Sequence, residues 1–171
     1  MSSTHLSLHY HLVFGTKNHE ALISPSWRDR FYAYLGGVIR TLDGAPEAIG
    51  GVADHVHLLV GLRATHTLAD VLRELKSVSS KWVHEEMGVR SFAWQEGYGA
   101  FTVSASQLEN VRRYIQQQEE HHRTTASGMS IWHCSIAVGW NSMSGTCEVF
   151  PQPLPGLLIV VWHCPVARTT G

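Results

Sequence analysis

The chain has 171 residues and a mass of 19.0 kDa, so one ordinary domain with a short appendage is expected rather than two full domains. Thirteen Lys and Arg balance fourteen Asp and Glu for a net charge of −1, so a partner drawn by bulk charge is not indicated and any nucleic-acid surface must be a local patch. Three irregularly spaced cysteines provide neither a disulfide framework nor a Cys-x-x-Cys zinc site, and no apolar run approaches the roughly 18 to 20 residues that cross a bilayer.

The start, MSSTHLSLHYHL, lacks the basic flank and apolar segment of a secretory signal, so a cytoplasmic protein is expected. Leu6, Leu8, Tyr10, Leu12 and Phe14 alternate with His5, Ser7, His9 and His11, the period of a strand with one buried face. Ser24 and Pro25 read as a helix N-cap and first-turn proline, ahead of Trp27, Phe31, Tyr34, Leu35, Val38 and Leu42 at helical spacing. Asp43 and Gly44 end that helix. Residues 47–53 and 55–62, parted by Asp54, predict a hairpin. Thr67 with Asp70 forms a capping box for a second helix carrying Leu68, Val71, Leu72, Leu75, Val78, Trp82 and Val83. Residues 92–103 hold a strand interrupted by Gly97 and Gly99. Ser104 with Gln107 is another capping box, opening a helix through Leu108, Val111 and Ile115 to about His122. This order predicts an α+β, ferredoxin-like antiparallel sheet with helices on one face.

Beyond residue 125 the composition changes. Residues 1–127 carry 25 of the 27 charges, while 128–171 carry only Glu148 and Arg168 together with all three cysteines. The expected organisation is therefore a domain over 1–125 and an atypical low-charge tail over 126–171. Its segment LLIVVW, residues 157–162, is an adventitious strand or aggregation hazard rather than a membrane anchor.

Within the domain, His55-Val56-His57 has the strand spacing that puts two imidazoles on one face, where they can share a cation. Two histidines on a half-exposed strand have the same pattern, and Asp54 fits either an acceptor behind a histidine or an ordinary turn residue. In VRRYIQQQEEHH, residues 111–122, Tyr114, Gln118 and His121 share one flank of the helix beside the Val111 and Ile115 stripe. A tyrosine at the core edge among solvated glutamines reads equally well. Arg112 and Arg113 lie on another side, suited to phosphate or to solvent.

Together these segments resemble a family. GGVADHVHLLVGL is similar to the His-hydrophobic-His strand of the single-tyrosine HUH transposases of bacterial insertion sequences, the TnpA type. The resemblance runs in order through HLVFGTK, LKSVSSKW, FAWQEGYGAFTVS and YIQQQEEHH, over roughly Thr4 to Arg123, and extends to the related REP-associated tyrosine transposases.

The resemblance implies a divalent cation, Mg²⁺ or Mn²⁺, on His55, His57 and Gln118, with Tyr114 as the nucleophile. It implies cleavage and rejoining of single-stranded DNA through a 5′-phosphotyrosine bond, at insertion-sequence ends marked by hairpins. It further implies a homodimer in which the tyrosine helix of one protomer completes the histidine site of the other; no membrane association is expected, since no apolar run is long enough to span a bilayer. Alternatives are an inactive hairpin-DNA-binding derivative, or a zinc hydrolase using His55, His57 and His121 or His122. His121 and Lys81 are candidates by type to activate Tyr114, with Asp54 and His121 candidates to support the metal ligands. Lys17, Arg63, Lys76, Lys81, Arg90, Arg112 and Arg113 are candidate DNA contacts, and Trp94, Tyr98 and Phe101 serve either as base-stacking platforms or as core. The tail departs from the family's charged helical end, which suggests a frameshifted terminus.

Overall fold

The computed structural model describes residues 5–118. The expected continuation of the third helix to about His122, the candidates His121 and His122, and the tail over 126–171 with its own expectations lie outside the described residues.

The alternation at the start of the chain becomes β1 (His9–Gly15), and the expected hairpin becomes β2 (Ala45–Gly51) and β3 (His55–Gly61). With β4 (Gly99–Val103) these form one antiparallel sheet in the order β2-β3-β1-β4. Three helices, α1 (Arg28–Thr41), α2 (Leu68–Glu86) and α3 (Leu108–Gln116), complete the predicted β-α-β-β-α-β-α order, and the α+β, ferredoxin-like class stands.

The placement of the helices differs from expectation, because they do not all share one face. Leu12, Phe14, Val56, Leu58 and Val60 point to the side packed by Phe31, Leu35 and Ile39 of α1 and by Val71, Leu72, Leu75 and Val83 of α2. On the opposite side Ala48, Leu59 and Val103 bury Ile115 of α3, with Leu108, Val111 and Tyr114 around it. The first face is already filled, so the apolar stripe of α3 finds its surface on the second. A strand covered on both sides is buried along its length, and β3 is buried from His55 through Val60.

Two glycines make this arrangement possible. A Cβ at Gly50 would lie 2.4 Å from the Ile115 carbonyl oxygen, so only glycine lets α3 sit this close to β2. Gly51, at φ +155°, would bring a Cβ within 2.2 Å of the His55 carbonyl oxygen in the tight hairpin.

Helix starts follow their caps only in part. Thr67 accepts a hydrogen bond from the Asp70 backbone N–H at 3.3 Å, as the capping box predicts. By contrast, the Ser24 carbonyl accepts from the backbone N–H groups of Trp27 and Arg28, so Ser24 and Pro25 form a turn and α1 starts at Arg28. Ser104 likewise opens a 3₁₀ turn, Ala105–Gln107, without a side-chain cap, and α3 follows from Leu108. No helix among the described residues is long and apolar enough to cross a membrane.

Candidate functional site

Strand period and sheet register assemble the site on the face covered by α3. His55 and His57 alternate with Val56 and Leu58, and both rings are fully buried rather than half-exposed. His55 Nδ1–H donates to the Asp54 carboxylate at 2.7 Å. Burial works against the charge on Asp54, but the hydrogen bond and the proximity of His55, with His19 behind it, outweigh that and hold the carboxyl below its usual range. Asp54 is therefore an acceptor behind a histidine, and more than a turn residue.

The partner of His57 comes from β1. Val13 is paired with His57 and His11 with Leu59, so His11 and His57 are diagonal neighbours on one face. Their rings stack at 5.1 Å, and His11 Nε2 lies 2.9 Å from His57 Nδ1. His11 is 4% exposed, and burial pulls its pKa down to about 4, which keeps the imidazole neutral. Phe101 of β4 stands on its other side at 6.0 Å.

The helix brings the remaining groups. Tyr114 presents its ring edge-on to His57 at 5.7 Å and to His11 at 6.1 Å. One turn further on, Gln118 is 2% exposed, and its side-chain nitrogen has no hydrogen-bond partner among the described residues. An amide spared by the protein interior is suited to a ligand, and its oxygen and nitrogen are interchangeable by a flip.

This donor set fits a divalent cation. With Nδ1 engaged on both β3 histidines, Nε2 is the nitrogen each has for a metal. Among the described residues no group of three or more His, Cys, Asp or Glu is arranged to hold a metal ion. Beside them Gln118 offers a buried amide whose oxygen suits a hard divalent cation.

The other predicted residues are dispersed. Lys17 is exposed in the turn after β1, and Arg63 is exposed beside Asp43 at 3.4 Å. Arg112 is held by Glu47 at 2.7 Å and Glu109 at 2.9 Å, whereas Arg113 and Arg90 are exposed. Lys81 is exposed on α2 near Glu85, and α2 packs on the sheet face away from Tyr114, so Lys81 is not placed to activate that tyrosine. Lys76 is also on α2, its ammonium donating to the carbonyls of Gln95, Glu96 and Gly97 at 3.0, 3.3 and 2.8 Å. Of the aromatics, Trp94 belongs to the core, 4.7 Å from Phe14 with its indole N–H on Ser79. Tyr98 and Phe14 face the Lys76 ammonium.

Sequence reasoning overlooked His11. Its only signal was its place in the β1 alternation, on the face opposite Leu12 and Phe14, and that becomes informative only once the register with β3 is known.

Residues 4–118 match the family model described as IS200-like transposase. The chain belongs to that family. No curated protein matches it. Among solved structures, this IS200-like transposase is similar to a transposase candidate from Deinococcus radiodurans, at 23% identity and TM-score 0.55, over 69% of this chain and 98% of that one. It is also similar to a REP-associated tyrosine transposase bound to a REP hairpin, at 15% identity and TM-score 0.54, over 94% of this chain and 100% of that one. At these identities the likeness carries the fold.

Proposed function

We propose that this IS200-like transposase cleaves and rejoins single-stranded DNA with Tyr114 as its nucleophile. The observation that carries this reading is the Tyr114 ring 5.7 Å from buried His57, on the face where His55 and Gln118 are also buried. In the first step Tyr114 Oη forms a bond to phosphorus while the bond to the 3′-oxygen breaks. The tyrosine proton passes to a base and the departing oxygen gains one. The 5′-phosphotyrosine ester retains the energy of the broken bond, so a 3′-hydroxyl can reverse the step on another strand without ATP.

Mg²⁺ or Mn²⁺ held by His55 Nε2, His57 Nε2 and the Gln118 amide oxygen supplies, when bound, Lewis-acid polarisation of the scissile phosphate. The protein's own part is orientation: Asp54 and His11 hold the two rings, and α3 holds Tyr114 against them. Exposed Lys17, Arg63 and Arg113 are available for backbone phosphates. A folded hairpin as the recognised element is supported by the REP hairpin bound to the similar REP-associated transposase.

Incubation of the full chain with Mg²⁺ or Mn²⁺ and a labelled single strand carrying a hairpin tests the proposal. A covalent protein–DNA adduct is expected, and Tyr114→Phe should abolish it while retaining binding. An adduct that survives Tyr114→Phe, or none with the wild-type chain, overturns it.

A further inference from the structure

We infer that His11 is a positioning residue that fixes the tautomer and ring orientation of His57, presenting its Nε2 to a divalent cation. The inference rests on the metal site proposed above and adds to it a residue that the strand sheet register brings in.

The two strand histidines are supported differently. His55 has a carboxylate, which can only accept, so its Nδ1 must carry the proton. His57 has another imidazole at 2.9 Å, and a hydrogen bond between two ring nitrogens needs one donor and one acceptor. If His57 is to offer the Nε2 lone pair, its proton sits on Nδ1, and His11 Nε2 accepts it. The opposite tautomer would place a proton on the His57 nitrogen that the site needs bare.

The His11 ring is closely held. Its ring is 4% exposed, stacked on His57 at an interplanar angle of 24°, and bounded by Phe101 and the edge of Tyr114. It touches both His57 and Tyr114, so one side chain sets the relation between the metal ligand and the tyrosine ring. An orienting partner of this kind typically changes metal affinity by about 10- to 100-fold when removed.

Three full-length chains are compared: wild type, His11→Phe, which keeps a ring but no acceptor, and His11→Gln, whose amide oxygen stands near the original Nε2. Mn²⁺ affinity is measured calorimetrically without DNA, and hairpin binding is measured in EDTA. His11→Phe should bind Mn²⁺ about 10- to 100-fold more weakly, His11→Gln should recover most of that loss, and hairpin binding should stay unchanged. A folded His11→Phe chain with wild-type Mn²⁺ affinity, or a His11→Gln chain no better than His11→Phe, overturns the inference.

Long-range ¹H–¹⁵N spectra of the metal-free wild-type protein decide it even if a variant does not fold. They should show His57 protonated on Nδ1, and protonation on Nε2 overturns the assignment. Failure of the wild-type chain to form a DNA adduct would overturn the proposed activity, while these spectra still judge His11 separately.

Discussion

The backbone carbonyl oxygen of Ile115 lies only 2.4 Å from where a Cβ on Gly50 would be, which makes this glycine the contact that sets the height of α3 above the sheet. Tyr114 is the preceding residue on that helix, so the same contact sets its distance from His57. Gly50→Ala must push the helix outward, because the obstacle is backbone and cannot rotate away. The expected loss is about 1–3 kcal/mol of stability, together with a fall in adduct formation on the order of 10²-fold. Gly37→Ala is the control: it lies within α1 with nothing within 4 Å of its Cβ. That change should stabilise the chain by about 0.5–1 kcal/mol through helix propensity and leave the adduct yield alone. Urea unfolding and a gel assay on both variants check the pair.

Tyr114 reaches the histidines of its own chain, whereas the resemblance implied sites shared between protomers. The mutual ring contacts of His57, His11 and Tyr114 lie within one chain, which supports a site completed in cis. A mixture of Tyr114→Phe chains with His57→Ala chains should therefore form no adduct. Each partner alone is expected to be inactive, and adduct restored in the mixture would show that the tyrosine helix is exchanged between protomers.

Much of this arrangement was legible because its signals are local. Period-two alternation marks β1, and the single-residue spacing of His55 and His57 puts them on one face of β3 whatever the sheet order. Thr67 and Asp70 mark the start of α2 in the same way. What escaped depends on relations between distant segments. The stripe of Val111 and Ile115 shows that α3 is amphipathic but not which sheet face it covers, and that choice turns the polar-looking side of β1 into a buried one. His11 is therefore read from the chain as one more outward histidine. Ser24-Pro25 misled for another reason: Ser24 Oγ accepts from the Ser26 backbone N–H and its carbonyl from those of Trp27 and Arg28, so the same residues close a turn that precedes α1.

The cap at Thr67 offers a test that leaves the site untouched. Its hydroxyl oxygen accepts the Asp70 backbone N–H, and the Asp70 carboxyl is held below its usual range first by Thr67 and then by Arg73. Thr67→Ala removes the acceptor from the first turn of a 19-residue helix. A loss of about 1 kcal/mol is expected, read as a lower urea midpoint with unchanged slope. Thr67→Ser should keep nearly all of the stability, because the hydroxyl remains.

Lys76 gives a pH dependence whose sign can be worked out. Burial lowers its pKa from 10.5 to about 8, despite the three carbonyls that receive its ammonium. Between those values the unfolded chain holds a proton that the folded chain has released, so rising pH favours folding. Below about pH 8 both states are protonated and the burial cost is fully present; above 10.5 it is gone. Compared with Lys76→Met, which has no such proton, the wild-type chain should gain stability from pH 8 to 10.5. The gain is roughly 1–2 kcal/mol once partial solvent exposure is discounted. The carbonyls of Gln95, Glu96 and Gly97 lose the Lys76 donor in Lys76→Met at every pH, which shifts the offset between the two chains without changing its slope. Urea midpoints for both proteins across this range test the argument: a difference that stays flat would mean that the carbonyl cage offsets burial, and one that falls with pH that it outweighs burial.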